Sequence, residues 1–166
     1  LHSLYVRTGN QILAINTLFQ LLALQEEQPD LLRRAKHLLF IPDLLAAMLG
    51  ADLTWERSIA STSQMWNPVA GTWDLELLRQ MGMDPGLFGA MTDSGSIIGA
   101  LPDSTKIIAV AGHDTQCAVA AMPVEEGERA AFLSCGTWSL IGCELETPIL
   151  TKESCDSGLS NEYGAN

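Results

Sequence analysis

The strongest constraint on the fold lies near the middle of the chain. There Lys106-Ile107-Ile108-Ala109-Val110-Ala111 gives way, through Gly112-His113-Asp114-Thr115, to Gln116-Cys117-Ala118-Val119-Ala120-Ala121. The first run has the composition of a buried strand and the last that of a helix. A strand that turns into a helix over so short a stretch belongs to an α/β protein. Open α/β sheets place their chemistry at the C-terminal ends of strands, beside free helix N–H groups. An acid, Asp114, stands at that corner. Farther on, Ala130-Ala131-Phe132-Leu133-Ser134 and Trp138-Ser139-Leu140-Ile141-Gly142 read as two strands around Cys135-Gly136-Thr137, a tight polar turn suited to cradling a phosphate. An acid followed by such a turn points to phosphoryl transfer.

The half of the chain before this corner reads as mostly helical. From Gln11 to Glu27 apolar residues fall at Ile12, Ile15, Leu18, Phe19 and Leu22, the spacing of a helix with one buried face, and Pro29 ends it. A second helix is expected over Pro29 to Lys36. Leu38 to Ile41 suits a buried strand or a helix end, and Pro42 suits the first turn of a helix running to Met48 with Gly50 as its stop. Another helix opens at Thr72 to Leu78, with Thr72 or Asp74 as cap and Gly82 as stop. Between Asp84 and Asp103, Ser96-Ile97-Ile98-Gly99 is the strand-like island. A lobe boundary is expected around Met122 to Glu128, where Pro123 and Glu125-Glu126-Gly127-Glu128 make a solvated connection.

With 166 residues, 47% of them hydrophobic, the chain can bury a core, and its formal net charge of −11 repels nucleic acid and anionic membrane surfaces. Its apolar stretches fall short of the roughly 20 residues a membrane helix needs. The gaps between Cys117, Cys135, Cys143 and Cys155 are all far wider than the C-x-x-C of a zinc or redox motif, so four reduced thiols in a cytoplasmic protein are expected. The chain starts at Leu1 and stops in polar residues at Asn166, so both ends read as cut from something longer.

Phosphoryl transfer to a hydroxyl needs a carboxylate to take the proton, donors for the phosphate and a magnesium ion to spread charge. Asp114 suits the first role, and capping its own helix is the plainer alternative. His113 suits a substrate hydrogen bond or a structural place, and Thr115 a sugar hydroxyl or the first turn of a helix. Gly136 and Thr137 can offer an N–H and a hydroxyl to a phosphate, or form an ordinary hairpin turn. Trp55, Trp66 and Trp73 are expected in the core, and Trp138 outside it.

Four segments together resemble the FGGY family of carbohydrate kinases: Ile41-Pro42-Asp43-Leu44-Leu45 to Leu49-Gly50, Trp73 to Leu78, Gly112-His113-Asp114-Thr115, and Leu133 to Leu140. The last two, taken together at their separation along the chain, carry most of the specificity. The resemblance implies an α/β, actin-like and RNase H-like fold of two lobes. This partial chain would have a helical N-terminal half and a β-hairpin in its C-terminal part. Residues 1–122 would complete the first, sugar-binding lobe, and residues 123–166 would begin the second, nucleotide-binding one. It implies phosphorylation of a ketose by ATP with Mg2+, L-rhamnulose to L-rhamnulose 1-phosphate before other ketoses such as fuculose or xylulose. Asp114 would be the general base, His113, Asp114 and Thr115 the sugar contacts, and Gly136 and Thr137 the nucleotide-phosphate contacts. The family's phosphate loop, its magnesium-associated Asp and its adenine-binding segment have no counterpart here, so the fragment alone is expected to be inactive. The partners implied are a small sugar and ATP, with a homo-oligomer left open. A noncatalytic actin-like module that binds nucleotide or partners is the competing reading.

Overall fold

The computed structural model describes residues 1–125, 127–128 and 130–165, so Glu126 of the expected acidic connection and the terminal Asn166 lie outside the described residues. Eight helices are described: α1 (His2–Thr8), α2 (Thr17–Glu27), α3 (Pro29–Arg34), α4 (Ile41–Met48), α5 (Arg57–Ser61), α6 (Leu75–Gln80), α7 (Asp114–Ala120) and α8 (Lys152–Asp156). Eight short strands accompany them: β1 (Trp55–Glu56), β2 (Trp66–Asn67), β3 (Thr72–Trp73), β4 (Met91–Thr92), β5 (Ile97–Ala100), β6 (Lys106–Ile108), β7 (Ala131–Cys135) and β8 (Ser139–Cys143). They pair two by two, β1 with β4 in parallel and β2–β3, β5–β6 and β7–β8 antiparallel. Among the described residues no helix is long and apolar enough to cross a membrane.

The core lies in the N-terminal half. Leu18 and Leu21 of α2 meet Trp55, Trp73, Leu77, Leu78, Met83, Leu87 and Phe88, all buried. Full burial of a Leu such as Leu18 or Leu78 contributes about 1.5–3 kcal/mol. The indole N–H groups are also satisfied, Trp55 donating to Leu38 O at 2.5 Å and Trp73 to Gly89 O at 2.9 Å. Trp66 is buried as well, whereas Trp138 is exposed, as expected for all four. The four cysteines carry no disulfide.

Two expectations are corrected. The helix expected from Gln11 begins at Thr17, because Asn16 turns its amide onto Gln11 O (2.8 Å) and Gln64 Oε1 (2.5 Å), a local alternative to helical pairing. The strand expected to run to Ala111 ends at Ile108 and pairs antiparallel with β5. Beyond it Ala109 still bonds Ser96 O and Gly95 N, but Gly112 is drawn away toward a buried carboxylate. The corner that carries Asp114 therefore leaves a two-stranded antiparallel ladder, with a loop from Ala109 to His113 before the helix.

Candidate active site

The loop from Ala109 to His113 ends on a buried carboxylate supplied by a distant part of the chain. Glu56, 2% exposed, caps α5 by accepting from Ser58 N (3.0 Å) and Ile59 N (3.2 Å). It also accepts from Ser58 Oγ (2.6 Å), Ser94 Oγ (2.8 Å) and Gly112 N (2.9 Å). Five donors around one carboxylate offset what its burial costs. Ser58 Oγ in turn accepts from His113 N at 3.3 Å, so α5 grips two successive N–H groups of the Asp114 turn. The approach is close enough to require glycine at 112: a Cβ there would sit 2.8 Å from Ile59 Cγ2 and 3.3 Å from Glu56 Oε2.

Asp43 closes the far side of this junction, its Oδ1 accepting from Glu56 N at 3.2 Å. Its carboxyl is pushed up to about 6, chiefly by burial and further by the Glu56 charge, against the Glu56 N–H that pulls the other way. Asp43 Oδ2 has no partner among the described residues, and Asp43 lines a hollow of about 40 Å³ with Pro42, Glu56, Ile98 and Ala109.

On this platform the residues of the turn differ in how they are held. His113 is the N-cap of α7 but makes no side-chain cap bond; its ring is 21% exposed and lies between two carboxylates. Nε2 is 3.1 Å from Glu162 Oε2, and Nδ1 is 3.6 Å from Asp114 Oδ1, beyond hydrogen-bond reach. Glu162 holds the imidazole pKa above its ordinary value against the opposing effect of burial, with Asp114 and Glu56 adding to the rise. Asp114 opens α7, and its side chain is fully exposed. Its carboxylate accepts no hydrogen bond from an N–H among the described residues, and it stands in the first turn of α7. Thr115 follows, half-buried.

The hairpin of β7 and β8 presents Gly136 and Thr137 at its exposed tip. The N–H of Gly136 donates to Trp138 O at 2.8 Å within the turn. The hydroxyl of Thr137 has no partner among the described residues, and around Gly136 a side chain would meet nothing within 4 Å. The turn is therefore open to solvent around both residues. A cleft of about 430 Å³ separates α7 from β7 and is lined by Ala118, Val119, Met122 and Ala131–Ser134; neither Asp114 nor Thr137 is in its wall. The structure brings His113, Asp114 and Thr115 together on one turn and leaves Gly136 and Thr137 on a separate tip. Among the described residues no three His, Cys, Asp or Glu side chains gather as a metal cluster; a magnesium ion carried with a nucleotide needs only one or two carboxylates beside the phosphate oxygens.

Sequence reading missed Glu56, Ser58 and Glu162. Glu56 had one available signal, an acid just before Ser58 at the head of a helix, which is a capping pattern. Nothing local marks Glu162, whose partners His113 and Gln116 lie far earlier in the chain.

Comparison with known proteins gives this site its setting. The model of the FGGY family of carbohydrate kinases, N-terminal domain, matches residues 1–122. Rhamnulokinase of Yersinia pestis (strain Pestoides F) is 44% identical over 168 residues, covering 99% of this chain and 34% of its own length. Rhamnulokinase of Enterobacter sp. (strain 638) is 40% identical over 166 residues, covering 98% of this chain and 34% of its own length. The chain thus spans about a third of the length of these relatives. Among solved structures, a carbohydrate kinase from Novosphingobium aromaticivorans superposes with a TM-score of 0.73 at 25% identity over 89% of this chain and 34% of that one. Ligand-bound xylulose kinase from Lactobacillus acidophilus gives 0.63 at 20% identity over 72% of this chain and 27% of its own, a likeness of fold. A family match over most of the chain, carried by relatives similar almost from end to end, places this protein in the FGGY family of carbohydrate kinases.

Proposed function

We propose that the complete protein, working in the cytoplasm, transfers the γ-phosphoryl group of ATP to the C1 hydroxyl of a ketose, with Asp114 as general base. The observation that carries this reading is the state of Asp114. On a turn that α5 grips through two backbone N–H groups, its carboxylate projects fully exposed and without a hydrogen-bond partner among the described residues, free to meet a substrate hydroxyl. In the reaction the hydroxyl proton passes to an Asp114 oxygen while the sugar oxygen bonds the γ-phosphorus. The bond from that phosphorus to the bridging oxygen breaks, and ADP leaves. His113 and Thr115 flank the base and contact the sugar; Thr137 donates its hydroxyl to the nucleotide phosphates, and Gly136 leaves room for them. Magnesium, when bound with ATP, would spread the charge of the transferring group. Residues 1–122 supply part of the sugar-binding lobe, and residues 123–166 open the nucleotide-binding lobe.

The names of these two relatives favour L-rhamnulose as the ketose, giving L-rhamnulose 1-phosphate. The test is a panel of ketoses offered with ATP to the full-length enzyme in a coupled ADP assay. The highest kcat/KM is expected for L-rhamnulose. A higher value for fuculose or xylulose would reassign the substrate, and no turnover with any sugar would leave the noncatalytic reading in place.

A further inference from the structure

The turn that carries Asp114 is held from its inner side by Glu56 and from its outer side by a carboxylate from the C-terminal stretch. We propose that Glu162 is a positioning residue for phosphoryl transfer: it fixes the His113 ring, and with it the geometry of the turn that presents Asp114. This rests on the reading of Asp114 as the base.

One oxygen of Glu162 serves two groups. Oε2 lies 3.1 Å from His113 Nε2 and accepts from Gln116 Nε2 at 3.1 Å, so it ties the residue before α7 to the third residue within it. A carboxylate on one ring nitrogen sets the tautomer and plane of an imidazole, and so decides what the other nitrogen presents. Here the other nitrogen, Nδ1, faces Asp114 at 3.6 Å. The charged groups around the ring are Glu162, Asp114 and, behind it, Glu56. Asp114 itself has no hydrogen-bond partner among the described residues, so the His113 ring is the group beside it whose placement matters.

Glu162 is delivered by a segment pinned on both sides. Before it, Asn161 N donates to Gly9 O at 2.8 Å, and the Asn161 side chain bonds Gly9 O, Ile149 O and Ile149 N at 3.1, 3.1 and 2.7 Å. After it, Tyr163 N donates to Ser61 Oγ at 2.9 Å, and the Tyr163 ring lies 5.6 Å from Trp66 and 5.6 Å from the Arg57 guanidinium. Ser61 belongs to α5, the helix whose Ser58 holds the His113 N–H and whose N-cap Glu56 holds that of Gly112. The inner and outer clamps therefore share one frame, and the side chains of the pair are only 21% and 28% exposed, which spares it most of the screening of a surface ion pair.

The test uses full-length Glu162→Gln and Glu162→Ala, with His113 followed by NMR titration of its ring and assigned against His113→Gln. In Glu162→Gln, which keeps the shape and loses the charge, the titration midpoint of His113 is expected to fall. In Glu162→Ala, kcat is expected to drop by about 10²-fold, the cost of a misplaced reacting group, with the KM for ATP unchanged. An unaltered His113 midpoint in Glu162→Gln, or wild-type kcat in Glu162→Ala, overturns the proposal. The reading beneath it fails differently, through full turnover by Asp114→Asn, and the His113 titration decides the Glu162 contact in either event.

Discussion

Asp114 and Thr137 share one property: neither side chain is tied into the fold by a hydrogen bond among the described residues, so each can be changed without disturbing what surrounds it. Thr137→Ala in the full-length enzyme is expected to raise the KM for ATP about 10- to 100-fold, the worth of a hydrogen bond to a charged group, with the melting temperature unchanged. Gly136→Ala is the sharper companion. Open space surrounds that position, so any loss of ATP affinity reports crowding of the ligand and not of the fold. His113 carries a pH signature. Glu162 raises its pKa in the folded state, so the stabilisation is fully present below the unfolded value near 6.5 and is lost as pH rises through the folded value. Urea midpoints measured across that window should fall with pH in the wild type and flatten in Glu162→Gln. The motif residues were legible in the sequence because a turn of Gly-His-Asp-Thr between a strand and a helix is a local signal. Glu56 and Glu162 were not, because what defines them is a partner remote in sequence, Gly112 for the first and His113 for the second.

At the scale of elements, the turn that carries Asp114 depends on α5, a helix of five residues too short to show a period in sequence. Its purchase on Gly112 leaves no room for a methyl group. Gly112→Ala is therefore expected to lower turnover with little change in the buried core, read as kcat against near-UV circular dichroism. Asp74 does for α6 what Glu56 does for α5. It caps Leu77 N at 2.9 Å while Arg7 of α1 donates to both its oxygens, Nε at 2.8 Å and Nη2 at 2.6 Å. Burial pushes the Asp74 carboxyl up, but Arg7 and the Leu77 N–H outweigh it and hold the carboxyl below its ordinary range. Its contribution is thus present above the unfolded value near 4 and lost as pH falls through the folded one. Asp74→Ala should cost about 2–3 kcal/mol in urea unfolding at neutral pH, with the difference shrinking in acid. Of the helices legible in advance, α3, α4 and α6 are marked by Pro near the start or by Asp and Gly at the ends, α2 by its apolar spacing and α7 by the composition that follows the Gly-His-Asp-Thr turn. Those that were not, α1, α5 and α8, are held by tertiary contacts such as Tyr5 Oη to Ser154 Oγ at 3.0 Å.

Over the whole molecule, a helical half with a packed tryptophan core holds a turn that projects an acid, and the C-terminal stretch returns to brace that turn through Glu162. The α/β class and the helical N-terminal half were readable from composition and punctuation. The pairing of strands two by two was not, because strands as short as β1 to β4 leave no alternation to read. Outside the core, α4 exposes Ile41, Leu44, Leu45 and Met48, an apolar face on a chain that spans about a third of its relatives' length. In sedimentation the isolated 166-residue chain is therefore expected to self-associate more than the full-length protein, and to show no kinase activity. The central claim is that the Asp114 carboxylate takes the proton of the sugar hydroxyl. Its most direct test is the turnover of L-rhamnulose and ATP by full-length Asp114→Asn, which keeps the size of the side chain and removes the base. A fall in kcat of about 10²- to 10⁴-fold with ATP binding intact is the predicted result, and wild-type turnover would contradict it.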